Sequence, residues 1–412
     1  MKIKSGRLLA AGLAAGLFLH VLNIFTGVFG QNDMLLGAGT AYAAERTQDG
    51  RHDNSDRQTK KNKQAKPTKE ELAAAKANER ANAFGLPKDA PKDIKYILGL
   101  YYGNGENILI RENKGELELL YRFSPADLSF AGANIYPLAK EHFDSYVMAE
   151  AGPMNSSEVY ISFERDQDGY GITCKAGGHR YSRYYFGHTE GEREKSFRLP
   201  EKTAEDWSKL RQEAAAAAMP QALAQGKAAE LVPADTIKGV HIRSVYAGEG
   251  NLFGAPLYGS KKLYVSHGAA QALAKAQSKL EAQGYGLVLW DAYRPWSVSK
   301  LANLALPEKA KGMLEDPETK GSSHNTGNAV DVGLYELASG AAVEMISGYD
   351  EPSPRQYASY AGGTSRQRYQ RDLLRSAMLE AGFKGIEMEW WHFTYEDGQQ
   401  YAHLNIPLES LE

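Results

Sequence analysis

Two short stretches carry residues whose types and spacing could do chemistry together. Glu389-Trp390-Trp391-His392 lies near the C-terminus, and Ser322-Ser323-His324-Asn325-Thr326-Gly327-Asn328-Ala329-Val330-Asp331 lies upstream of it. Between them they offer two imidazoles (His324, His392), one carboxylate able to ligate a metal (Asp331) and one carboxylate left over (Glu389). That set matches a catalytic zinc centre, where three side chains hold the ion, a fourth position stays open for water, and a Glu takes the water's proton. A chain so equipped is expected to be a hydrolase.

The elements that must position these groups can be read around them. Ala329-Val330-Asp331-Val332 has strand character, so Asp331 projects from one strand face, with His324 in the preceding loop and Gly327 letting that loop turn back. Taken alone, this pair reads better as a loop histidine and an ion-paired carboxylate. Glu389 and His392 change the balance. Residues three apart on a regular strand face opposite sides, so a strand end, bulge or helical turn is required there. Trp390 and Trp391 can wall the site against solvent, pack the core, or do both. Asp291-Ala292-Tyr293-Arg294-Pro295 follows directly on a short buried strand expected over residues 287–290. Arg294 at a strand end suits the oxyanion of a tetrahedral intermediate or a substrate carboxylate, and an ion pair with Asp291 is the competing reading.

At this point the chain resembles the zinc D-alanyl-D-alanine dipeptidases of vancomycin-resistance operons and their relatives, from about Ile242 to His403. The resemblance rests on Tyr246-Ala247, Asn251, Gly254-Ala255-Pro256-Leu257-Tyr258, Asp291-Ala292-Tyr293-Arg294-Pro295, the Ser322 to Asp331 motif and Glu389-Trp390-Trp391-His392, in that order. It implies one Zn²⁺ per chain ligated by His324, Asp331 and His392. It also implies base catalysis by Glu389, transition-state stabilisation by Arg294, and help from Ser322 in holding the substrate. Gly248 and Leu252 stand where the family pattern has Thr and Phe, at the substrate-facing edge.

The expected fold class is α+β: a C-terminal zinc D,D-peptidase domain with a mixed sheet and flanking helices, preceded by a small, mostly β domain. At 412 residues the chain is long enough for two cores. Lys2, Lys4 and Arg7, the mostly apolar run after them and Ala41-Tyr42-Ala43 read as a signal peptide over residues 1–43, with an uncleaved anchor as the competing reading. Residues 44–83 are polar and poor in aromatics, as expected of a disordered tether. Residues 84–200 hold short aromatic and aliphatic runs between turn signals, a mostly β module, sheet or barrel, of unknown role. There Cys174, His179 and His188 match no metal spacing, and Cys174, the single cysteine, excludes an intrachain disulfide. Residues 201–229 read as a connector of one or two helices, and 230–412 as the dipeptidase domain, with helices over 267–283 and 366–380.

A formal charge of -3 and a pI near 6.4 give no electrostatic case for nucleic acid. The signal puts the protein outside the cytoplasmic membrane, secreted, periplasmic or at the cell surface, and touching the membrane only through an uncleaved N-terminus. The expected partner is a small D-amino-acid dipeptide or a peptidoglycan peptide; oligomeric state is not readable. Three functions compete. The first is a dipeptidase acting on D-Ala-D-Ala. The second is a D,D-carboxypeptidase or endopeptidase, a group that tends to have Pro where Trp390 stands. The third is a non-catalytic wall-binding protein, which the complete ligand set disfavours.

Overall fold

The computed structural model describes residues 85–103, 105–122, 133–142, 144–148, 159–184 and 198–412. The expected signal peptide and tether, and His188, lie outside the described residues. Among those described, no helix is long and apolar enough to cross a membrane.

After a single helical turn, α1 (Lys92–Lys95), the chain forms eight antiparallel strands: β1 (Gly99–Gly103), β2 (Glu106–Asn113), β3 (Glu116–Arg122), β4 (Asn134–His142), β5 (Ser145–Met148), β6 (Tyr160–Arg165), β7 (Gly171–Ala176) and β8 (His179–Arg183). Each pairs with its neighbour in sequence, and β1 closes on β8 through Tyr101↔Arg183, so the sheet is a closed barrel. Alternate residues make the interior. Ile108 and Ile110 of β2, Leu117 and Leu119 of β3, and Ile161 and Phe163 of β6 pack there with Tyr101, Tyr146 and Cys174. Burial pushes the Cys174 thiol up to about 12, leaving it a small apolar filler. The opposite phase of β1–β3 is buried too. Leu100, Leu109 and Leu120 point out of the barrel and pack with Ile346 and Tyr360 of the C-terminal half.

A single connecting helix follows, α2 (Ala204–Ala216), started by a capping box between Thr203 and Asp206 and ended ahead of Pro220. The C-terminal half is built on β9 (Leu231–Pro233), β10 (His241–Ile242), β11 (Tyr264–Ser266), α3 (His267–Glu281), β12 (Tyr285–Asp291), α4 (Trp296–Ala305), β13 (Ala329–Glu336), α5 (Ser365–Glu380), β14 (Phe383–Gly385) and β15 (His392–Tyr395). Ser266 caps α3 by accepting from Ala269 N, and Ala269, Ala272, Leu273, Ala276 and Leu280 form its buried stripe. That stripe packs on the sheet and on α5, which Thr364 and Gln367 start with a second capping box. The main sheet runs β10-β12-β13-β15-β14, with only β10 and β12 parallel, and β9 pairs with β11 separately. The mixed sheet with flanking helices therefore stands as expected, and the mostly β module is a barrel.

Candidate metal centre and active site

The sheet register brings the reactive groups into one row. Asp331 of β13 lies opposite Asp291 of β12 on one side and His392 of β15 on the other. Residues directly opposed on neighbouring strands project from the same face, so the three side chains stand abreast. One extra residue makes this possible. The β12–β13 register shifts between Leu289 and Asp291, leaving Trp290 as a bulge and carrying Asp291 level with Asp331. The Trp290 ring then lies over Gly333, where a Cβ would come within 2.3 Å of it.

His324 arrives from the loop before β13, in a 3-10 turn, Ser323–Thr326. Ser322 caps the turn, its Oγ accepting from His324 N (3.3 Å) while its own N–H donates to Asn325 Oδ1 (2.8 Å). Gly327 ends the turn at φ 78°, a left-handed conformation that a side chain would strain. Asn325 Nδ2 then donates to Arg294 O (2.8 Å), and Arg294 N to His324 O (3.1 Å), tying the turn to the segment after β12. Glu389 sits in the turn leading into β15, and the strand begins only at His392, which meets the geometric requirement that the spacing imposed.

His324, Asp331 and His392 converge, and they are the one such cluster among the described residues. His324 Nε2 lies 3.2 Å from His392 Nδ1 and 3.4 Å from Asp331 Oδ2, and His392 Nδ1 lies 3.0 Å from Asp331 Oδ1. Ligands placed about 2.0–2.1 Å from a tetrahedral zinc stand roughly 3.3 Å from one another, and the two nitrogens, with one carboxylate oxygen facing each, are spaced to fit such an ion. The outer contacts fix which nitrogen faces it. His324 Nδ1 donates to Ala292 O (2.7 Å), turning the Nε2 lone pair inward. His392 Nε2 contacts Ser323 Oγ (3.2 Å) and Thr394 Oγ1 (3.3 Å), turning Nδ1 inward. Two imidazole nitrogens buried face to face beside a carboxylate suit a shared cation.

Charge distribution agrees with the geometry. Burial alone would push Asp331 up, but His324 and His392 outweigh it and hold the carboxyl well below its usual range. Burial pulls His324 down, and Asp331 more than reverses that. Glu389 Oε2 stands 4.0 Å from His392 Nδ1, beside the ligands rather than among them. About a third of its side chain remains exposed (34 %), yet desolvation, and then the charges of Asp331 and Asp350, push its carboxyl up to about 7. Arg294 makes the ion pair with Asp291 through Nη2 (2.5 Å) and Nε (3.1 Å), and lies 5.2 Å from the Tyr246 ring. Its charge is nonetheless felt at His324 and Glu389, so pairing and a place beside the site coexist. Tyr258 OH donates to the other Asp291 oxygen (2.5 Å), leaving that buried carboxylate satisfied.

Three residues at the site lay beyond the motifs. Tyr349 OH donates to Asp331 Oδ2 (2.8 Å), orienting the carboxylate. Asp350 accepts from Tyr246 OH (2.6 Å), and burial, with help from Asp331 and Asp291, pushes its carboxyl up to about 7. Ser347 Oγ accepts from Trp390 Nε1 (2.7 Å). Tyr349 also packs edge-on to Trp391, and Trp390 edge-on to Trp391, so both tryptophans are buried walls.

A buried cluster of two imidazoles and a carboxylate across the central strands of a mixed sheet, with a further carboxyl beside it, has the make-up of a metal-dependent hydrolase site. The D-ala-D-ala dipeptidase family model matches residues 227–407. The D-alanyl-D-alanine dipeptidase of Enterococcus faecium is 30% identical over 180 residues, 40% of this chain and 89% of the relative. Those of Enterococcus faecalis V583 and Escherichia coli K12 are 33% and 32% identical over 181 and 170 residues, each 40% of this chain and 89% and 83% of the relative. The chain belongs to the D-Ala-D-Ala dipeptidase family, and its C-terminal domain is a peptidase.

Proposed function

We propose that this protein is a zinc-dependent dipeptidase that hydrolyses D-alanyl-D-alanine, or a similar small dipeptide, in cell-wall peptide metabolism outside the cytoplasmic membrane. The observation that carries the reading is the 3.0–3.4 Å spacing of His324, Asp331 and His392 atoms with the unligated Glu389 beside them. Zinc held by those three residues would supply Lewis acidity, polarising the scissile carbonyl and acidifying a water. Glu389 takes the proton of the attacking water and returns it to the leaving amine, a task suited to a carboxyl whose pKa lies near neutrality. Arg294, fixed by Asp291, offsets the charge that develops on the carbonyl oxygen. Asp350 is a half-buried acid with no cation of its own among its hydrogen-bond partners, and the ammonium of a dipeptide supplies one. The Ser322 hydroxyl accepts from its own turn and keeps its proton to donate to the substrate. Trp390 and Trp391 keep bulk water from the reacting groups.

One observation favours a second reading, a D,D-carboxypeptidase or endopeptidase on stem peptides. The N-terminal Lys2, Lys4, Arg7 and Ala41-Tyr42-Ala43 pattern suits export to where such peptides lie. Purified protein supplied with free D-Ala-D-Ala and, separately, with a stem pentapeptide ending in the same residues decides between them. A dipeptidase releases D-Ala from the first and little from the second, because a chain amide in place of the ammonium leaves Asp350 unmatched. Comparable release from both overturns the dipeptide reading.

A further inference from the structure

Residues 342–364 make up most of the connection from β13 to α5, with one 3-10 turn, Pro354–Gln356, and no other regular element. Connections of this length are uncommon in compact domains unless they serve a site. This one has two anchored sides. Towards the metal centre, Tyr349 holds Asp331, Asp350 holds Tyr246, and Trp390 donates both to Ser347 Oγ and, from its backbone, to Gln356 O (2.9 Å). Away from it, Ile346 and Tyr360 are buried against Leu100, Leu109 and Leu120 on the outside of the barrel.

Polar contacts on the barrel side are as specific as the apolar ones. Glu112, near the end of β2, is 1 % exposed and accepts from Ser365 N (2.7 Å) and Ser365 Oγ (2.8 Å) at the N-terminus of α5, where a negative charge is favoured. Glu112 N donates to Gly363 O (3.2 Å), and Arg368 of α5 donates to Glu112 O (2.8 Å) and Gly363 O (3.0 Å). Lys95 pairs with Glu344 (3.0 Å) where the connection begins. Within it, Arg355 clamps Glu351 (2.8 Å), so a shift at the barrel end is carried along the chain rather than absorbed.

We propose that the barrel is a positioning domain for the peptidase: through Leu109, Leu120 and Glu112 it sets the 342–364 connection, and with it Tyr349 and Asp350, against the metal centre. The barrel lies outside the segment matched by the family, so this support is something the present chain adds to a peptidase domain. The kinetic arm of the test rests on the dipeptidase reading, because it takes Asp350 as the group that meets the ammonium.

The test uses the full chain, loaded with zinc, carrying Leu109→Ala or Glu112→Gln. At saturating zinc both variants hold the wild-type metal content, and KM for D-Ala-D-Ala rises roughly tenfold or more with kcat little changed, as expected when a remote change misplaces a binding group. In an Asp350→Asn background the same changes leave KM where Asp350→Asn alone puts it. Amide hydrogen exchange speeds up across residues 342–364 and stays slow in β12 and β13. Ile161→Val, inside the barrel and away from this contact, lowers stability without moving KM. Should Leu109→Ala fail to fold, Glu112→Gln and Ile346→Val carry the same readouts. Folded variants with wild-type KM and wild-type exchange over 342–364 overturn the proposal, as does faster exchange spread evenly over both halves. If the wild-type protein does not cleave the dipeptide, the functional reading fails, and the exchange measurement still decides the positioning role.

Discussion

Replacing Glu389 by Gln removes a proton acceptor while keeping the side chain's size and most of its hydrogen bonding. The ligand atoms lie 3.0–3.4 Å apart, whereas Glu389 Oε2 stands 4.0 Å from His392 Nδ1, so the change should leave the ligand set intact. A carboxyl held near 7 is well matched to general-base work at neutral pH, and an amide is not a base. Turnover should fall by roughly 10²–10⁴, which raises the barrier by about 3–5 kcal/mol. Activity requires the carboxylate, so the acid limb of kcat/KM rises with pH as Glu389 ionises. A bound dication favours that charged form, which puts the limb at or below about pH 7. The residual rate of Glu389→Gln lacks this limb. The assay is steady-state release of D-Ala across pH 5 to about 9, alongside zinc content by metal analysis. Near-normal turnover, or an unchanged acid limb, refutes the base assignment, and loss of zinc makes Glu389 a ligand instead.

Three further outcomes follow from the same geometry. His324→Ala and His392→Ala should each bind far less than the one zinc per chain expected of the wild type, and full occupancy in both by metal analysis removes them as ligands. Tyr349→Phe deletes the hydrogen bond to Asp331 and should weaken zinc binding by roughly 10–100-fold in a chelator competition, the usual cost of losing an outer-shell partner. Asp350 has a folded pKa of about 7 against an ordinary value of 3.8, so the folded state holds a proton that the unfolded chain has released. That contribution is fully present below the unfolded pKa and is lost as pH rises through the folded one. Asp350→Asn, compatible with the φ of 54° there, should therefore gain stability relative to wild type between pH 4 and 8, by at most about 4 kcal/mol, in urea unfolding of metal-free protein. A difference that does not vary with pH refutes it.

What could be read in advance was what local pattern encodes. The motif around His324 and Asp331 and Glu389-Trp390-Trp391-His392 are dense in chemical residue types; His324 before a turn glycine and a strand allowed a convergent loop, and Glu389 with His392 tipped the reading towards it. Helices α3 and α5 were legible from their formers and the glycines beyond them, at Gly284 and Gly382. Strand β4 was not, because only Leu138 of its nine residues is buried and no alternation marks it. The aromatic and aliphatic run before Gly103 is split, since its first residues form the turn that follows α1 and β1 begins only at Gly99. Tyr349 and Asp350 stayed hidden for a different reason. Their roles come from tertiary contacts of an aperiodic connection, and only the folded sheet reveals what they touch. For Arg294 the two competing readings turned out not to exclude each other, since Asp291 pairs with it at the edge of the site.

The row Asp291, Asp331 and His392 joins pairing register and metal affinity in one variable. Strand side chains alternate with a period of two, so a slip of one residue between β12, β13 and β15 would turn Asp331 or His392 to the opposite face. Such a misregistered sheet holds no complete ligand set and gains nothing from zinc, whereas the correct register is stabilised by whatever the ion's binding is worth. The metal would thus act as a proofreader of folding, rewarding one β13–β15 alignment among its near neighbours, while the bulge at Trp290 sets where the partner of Arg294, Asp291, falls beside it.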